Sequence, residues 1–168
     1  MKMKNTITRG LFGLGLVAAL ITMGGCASSQ PKLTQEEVMS QYPQVASLNT
    51  EVKDAQAKGS EYLAPESYDT ARKSLESAMN AAHNNKKDDA SEAAAKGLKV
   101  VDKMKKDTAS SKQLLSEVLQ ARERAMAAGV ATLQSEKLAE VDKSLRKTSA
   151  LIEDGNIEKA KQRRPELL

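Results

Sequence analysis

Few residues in this chain of 168 are equipped for covalent or metal chemistry. Cys26 is the only cysteine. Its thiolate would be a nucleophile and a metal ligand. With no second thiol it cannot form an internal disulfide, and a free thiol is the plain reading. His83 is the only histidine. A zinc site takes four nitrogen, sulfur or carboxylate ligands, and no second histidine or thiol joins His83 in such a set. Its place at a helix end suits a C-terminal capping role. Asp88 and Asp89 could face a cation, but two acids opening a helix are already favoured by the helix dipole. Lys86-Lys87 and Lys103 to Lys106 are basic clusters that could meet anionic lipid or wall carboxylates. Asp102 and Asp107 interrupt the second cluster, so a solvated face is the expectation. Gly13-Leu14-Gly15 sits in an apolar run and is no phosphate loop. The sequence therefore offers no catalytic residue, no cofactor motif and no metal-ligand set, and a protein that is not an enzyme is expected.

The segment carrying Cys26 gives its thiol a context. Residues 1–25 open with Lys2, Lys4 and Arg9 and contain no acid. An apolar run follows from Leu11 to Met23, then Gly24 and Gly25. A cationic start, a short apolar middle and small residues at the end form the layout of a secretory signal. The apolar run is 13 residues long. As a helix it would reach ~20 Å, short of the ~30 Å hydrocarbon core of a bilayer. Met23-Gly24-Gly25-Cys26 resembles the lipobox of bacterial lipoproteins, with Met in place of the usual Leu. The resemblance implies cleavage before Cys26 by signal peptidase II and acylation of that cysteine. It also implies membrane attachment through the acyl chains. Ala27 follows the cysteine. By the same resemblance it directs the protein to the inner leaflet of the outer membrane, facing the periplasm.

Removing residues 1–25 leaves 143 residues with 23 basic and 22 acidic side chains. The basic excess of the whole chain thus owes much to the leader, and it is not a nucleic-acid footprint. Beyond the leader there is no Phe or Trp, and the tyrosines are Tyr42, Tyr62 and Tyr68. Stacking on bases needs aromatic faces in a basic groove. No nucleic-acid partner and no small-molecule substrate are expected. The apolar content is mostly Ala, Leu, Val and Met; Ala is the best helix former, and Lys, Glu, Gln and Leu are close behind. The expected fold class is all-α, with antiparallel helical hairpins.

Those elements can be placed in order. Residues 26–33 read as a lipidated tether and 34–168 as a helical domain. Thr34-Gln35-Glu36-Glu37 fits a capping box. Pro43 limits that helix or begins another. Val45, Leu48, Val52 and Ala55 form one helical face, and Gly59 ends it. Pro65 opens the clearest helix, with Tyr68, Ala71, Leu75, Ala78 and Ala82 as its stripe and His83-Asn84-Asn85 as its close. One long central helix is expected from about Asp88 to Ala128, weakest in the polar stretch from Lys105 to Gln113. Gly129 ends it. A helix from about Ser135 carries Leu138, Val141, Leu145 and Ile152. Asp154-Gly155-Asn156 is a turn, and a last helix from Ile157 meets Pro165.

An internal repeat underlies this order. At an offset of 70, nine of the 36 pairs from position 55 to 90 are identical without a gap. They include Gly59 with Gly129 and Lys73-Ser74-Leu75 with Lys143-Ser144-Leu145. The repeat units are about 55–104 and 125–168, two hairpins sharing the central helix. Tyr62–Ala78 (YLAPESYDTARKSLESA), a polar turn and Asp88–Leu98 (DDASEAAAKGL) resemble the helical domain of bacterial envelope lipoproteins classed as domain-of-unknown-function family 4398. The resemblance covers about Ala55 to Met104, a third of the chain. That family assigns no catalytic residues, so none is carried over. Some of its members continue into an OmpA-like peptidoglycan-binding domain, for which this sequence shows no counterpart. The expected function is that of a lipid-anchored, non-enzymatic envelope lipoprotein, acting as a helical spacer, scaffold or protein-interaction module. The alternative is non-covalent binding to peptidoglycan.

Overall fold

A computed structural model describes residues 31–168. Residues 1–30, which hold the expected leader and Cys26, lie outside the described residues. Among these the fold is all-helical, with nine α-helices and a closing 3-10 turn. The helices are α1 (Gln35–Gln41), α2 (Pro43–Ala57), α3 (Ser60–Leu63), α4 (Pro65–His83), α5 (Lys87–Leu114), α6 (Ser116–Ala127), α7 (Val130–Leu133), α8 (Ser135–Glu153) and α9 (Ile157–Arg163), and Arg164–Leu167 forms the 3-10 turn. No described helix is long and apolar enough to cross a membrane.

The local signals act as their chemistry requires. The Thr34 hydroxyl accepts from the Glu37 amide, and the Glu37 carboxylate accepts from the Thr34 amide at 2.7 Å. Those Thr34 bonds, from the backbone first and then the hydroxyl, hold the Glu37 carboxyl below its ordinary value. Pro43 and Pro65 each open a helix, where a missing amide hydrogen costs nothing. Gly59 and Gly129 stand at φ of 77° and 81°, a left-handed conformation natural to glycine.

The first and larger core lies among α1, α2, α4 and α5. Val38, Val45, Leu48, Val52, Ala71, Ala78, Ala82, Ala90, Ala94, Val101 and Met104 are buried there. α4 and α5 form an antiparallel hairpin, and α2 packs against both. A second core gathers Leu115, Val118, Leu145, Ile152 and Ala160 from α6, α8, α9 and the residue before α6.

The expected central helix from Asp88 to Ala128 is not continuous. α5 ends at Leu114, and Leu115 turns to φ −106° and ψ 20° before α6 begins. The polar stretch from Lys105 to Gln113 stays helical. It is held from outside: Lys105 pairs with Glu51 of α2 at 2.7 Å, and Thr108 donates to the Ser60 hydroxyl at 3.0 Å. The break falls where the helix changes partners. Met104 belongs to the first core and Leu115, fully buried, to the second. A helix keeps one stripe on one side, and serving two differently placed cores calls for a kink.

Gly97 lets α5 approach α2. A Cβ there would lie 2.5 Å from a Leu48 methyl carbon and 3.0 Å from the Ser74 Cβ, and Leu48 is fully buried. The helix-propensity gain of Ala over Gly is ~1 kcal/mol. Overpacking costs ~1–3 kcal/mol. Gly97→Val, which adds bulk without Ala's full propensity gain, is expected to lower stability by about 1–3 kcal/mol. Urea unfolding followed by circular dichroism checks this.

Candidate functional site

Two groups of side chains outside the cores fix how the chain is held and joined. The first lies at the turn between α4 and α5. His83 is the last residue of α4. Its ring Nδ1 lies 2.5 Å from the Leu33 carbonyl oxygen, which can only accept, so Nδ1 carries the proton. The Leu33 amide in turn donates to the His83 carbonyl at 3.1 Å. Asn85 takes a left-handed conformation at φ 57°, which Asn tolerates. Its Nδ2 donates to the Pro31 carbonyl at 3.3 Å. Leu33 packs on the first core.

This corrects two expectations. His83 does not cap its own helix but grips the incoming chain. The segment expected to be a tether as far as position 33 is bound from Pro31 onward. Cys26 itself lies outside the described residues.

The second group joins the two cores. The N-cap position of α4, Ala64, has no side chain able to cap. The two Glu153 carboxylate oxygens, at the end of α8, accept from the Glu66 amide at 2.8 Å and the Ser67 amide at 2.9 Å. A negative charge thus meets the positive end of α4. Arg146 of α8 pairs with Asp69 at 3.1 Å and donates to the Glu61 carbonyl. Arg122 of α6 holds Asp142 of α8 with two bonds, at 2.6 and 2.9 Å, and lies 4.9 Å from the Tyr62 ring centre. The Asp142 carboxylate raises the Arg122 pKa against an opposing effect of burial. The sequence held one signal of this group: Arg122 occupies a position in an otherwise apolar stripe.

The other candidate residues stay apart. Asp88 and Asp89 are exposed in the first turn of α5, and Lys86 approaches Asp89 only to 4.0 Å. In the Lys103–Lys106 cluster, Lys103 pairs with Asp107 and Lys105 with Glu51, each at 2.7 Å. The hydrogen bond that each lysine donates to its carboxylate partner raises both lysine pKa values. Among the described residues no group of three or more His, Cys, Asp or Glu side chains could hold a metal ion. The geometry orients helices and shapes grooves. One groove of about 260 Å³ lies between α2 and α5, with Glu51, Lys58, Lys105 and Lys112 on its walls. Another, of about 170 Å³, lies between α6 and α8. Comparison of the chain with family models, curated proteins and solved structures finds no match.

Two outcomes are expected. Glu153→Ala leaves the α4 amides uncapped and costs about 1–2 kcal/mol, the usual range for a lost N-cap. Hydrogen exchange at Glu66 and Ser67 should quicken more than at Ala78. His83→Ala frees Leu33 without opening the helices, so trypsin should cut after Lys32 several-fold faster while helicity is unchanged.

Proposed function

We propose that this protein is a lipid-anchored lipoprotein of the outer membrane whose helical body faces the periplasm and serves as a protein-interaction scaffold. The observation that carries this reading is the lipobox-like Met23-Gly24-Gly25-Cys26 together with a body gripped at Pro31 and Leu33, a few residues later. Pro31 follows Cys26 by five chain steps. At ~3.5 Å per extended residue they reach ~17 Å at most. The α4–α5 turn is then held close to the bilayer surface. One acyl chain anchors weakly and several anchor firmly, at ~0.8 kcal/mol per buried methylene.

The body reads as a tandem repeat. Seventy residues separate the ends of α2 and α6, both ends of α3 and α7, both ends of α4 and α8, and the starts of α5 and α9. The left-handed residues correspond as well, Gly59 with Gly129 and Asn85 with Gly155. Residues 1–25 act as the cleaved leader in this reading. The resemblance of residues 55–104 to helical domains of envelope lipoproteins points the same way. Paired helices with exposed grooves suit protein contact better than catalysis, and no cofactor is called for.

The test is Cys26→Ser in cells. Wild-type protein should take up labelled palmitate and sediment with outer membranes, and the variant should do neither. Equal membrane association of the two would sink the anchor. Photo-crosslinking from Lys99 and Lys112 should give a discrete protein adduct. Adducts to muropeptides, with co-sedimentation on purified sacculi, would instead favour the peptidoglycan-binding alternative.

A further inference from the structure

A groove of about 400 Å³ lies where α3 meets α6 and the end of α5. Its apolar lining is Tyr62, Leu63, Leu119 and Met126. The shape is set before anything binds. Leu63 is buried, Arg122 lies over the Tyr62 ring at 4.9 Å, and Asp142 holds Arg122 with two bonds. Met126 is 40 % exposed, one of three large apolar side chains so exposed among the described residues. The rim is cationic. Lys58 and Lys112 line the groove and are exposed. Among the described residues neither has a carboxylate oxygen within 4 Å, whereas Lys103 and Lys105 of the same α5 each hold one at 2.7 Å. Glu51 and Asp54 line the neighbouring groove between α2 and α5 and not this one. The one acid here is Glu123, and the Arg122 charge is already met by Asp142. Two unpaired lysines thus stand beside exposed apolar surface.

We propose that this groove docks an acidic segment of another protein, with carboxylates on Lys58 and Lys112 and an apolar side chain against Met126 and Leu119. The inference rests on the interaction-scaffold reading and names the chemistry of the partner. Charge complementarity selects an acid. The exposed Met126, flexible and polarizable, selects one that also carries apolar surface. Anionic lipid is the poorer occupant. Leu63 stands two residues before Pro65, the first residue of α4, while the incoming chain is gripped at His83, the last. An anchor at Cys26 holds that last residue near the bilayer, and the groove is then up to ~28 Å farther away, the length of α4. Stem peptides of the wall bring carboxylates but little apolar surface.

The probe is a fluorescently labelled synthetic peptide in which glutamates flank a pair of leucines. It is titrated with the full chain in mild detergent and followed by anisotropy. Saturable binding is expected, and it should weaken as salt is raised. Lys58→Gln with Lys112→Gln should weaken it about tenfold, two exposed ion pairs at about threefold each. Met126→Ser should weaken it several-fold with the charges untouched. Lys58→Glu with Lys112→Glu should reject this peptide and bind one that carries lysines in place of its glutamates. Lys73→Gln with Lys99→Gln, the same charge change away from the groove, should have no effect. All these side chains are exposed, so the variants leave the fold intact, which circular dichroism checks. Absence of binding, an equal loss in the control variant, or failure of the charge reversal overturns the proposal. So does tighter lysine-dependent binding to phosphatidylglycerol vesicles or to muropeptides, which would give the groove to lipid or wall. A dimer of the full chain that Lys58→Gln with Lys112→Gln dissociates in sedimentation overturns it as well, by putting a second copy there. Anchoring is read separately from Cys26→Ser. Peptide failure with a discrete protein adduct from Lys99 removes this groove alone, while absence of any protein adduct removes the scaffold reading with it.

Discussion

Where α4 and α5 lie side by side, Ala71, Ala78, Ala82, Ala90 and Ala94 are fully shielded from solvent, and each brings only one methyl group to the contact. Everything else in the body answers to that thinness. Small side chains let helices approach closely but remove little apolar area from water, at ~25 cal/mol per Å². Larger side chains come from α5 itself, Val101 and Met104, and from a third element. That element is α2, with Val45, Leu48 and Val52, and Gly97 gives Leu48 the room it needs. A hairpin of this composition cannot stand without its neighbour, as in other stacked helical units.

The second core is drawn from α6, α8 and α9, and α9 adds only Ala160. Its five buried residues, Leu115, Val118, Leu145, Ile152 and Ala160, form a much smaller apolar centre. Polar bonds take up the task of placing it. Glu153 caps α4, Arg146 reaches Asp69 and the Glu61 carbonyl, and Thr108 meets Ser60. Such bonds fix direction well but contribute only ~1 kcal/mol each, net of lost hydration. The hydroxyls of Ser111 and Ser149 are buried without a protein partner among the described residues, which adds nothing to the strength of this core. α8 and α9 should accordingly open before α4 and α5 in the native ensemble.

Most of the helix pattern was legible in the sequence because its signals are local. Thr34 with Glu37, Pro43, Pro65, Gly59 and Gly129 each act within a turn of where they stand. The apolar stripe of α4 needed only a period of 3.6. The errors arose where distant residues decide. Nothing near Leu115 breaks a helix, and the kink comes from two cores that take their partners from opposite parts of the chain. His83 looked like a cap because the Leu33 carbonyl that it grips is 50 residues away. Glu153 carried no signal at all, since its partners are bare amides at the start of α4.

The same long-range bonds give the body two unlike ends. α4 runs from Pro65 to His83, 19 residues or ~28 Å as a helix. Its last residue grips the incoming chain at Leu33. Its first turn receives Glu153 from α8. α8 therefore joins α4 at the end remote from the point where the chain enters. An anchor at Cys26 would hold the well-packed α4–α5 turn near the lipid. The sparsely packed α6–α8 pair would then stand up to ~28 Å farther away, the length of α4. Burial follows the same division, with the larger core among α1, α2, α4 and α5 and the smaller among α6, α8 and α9.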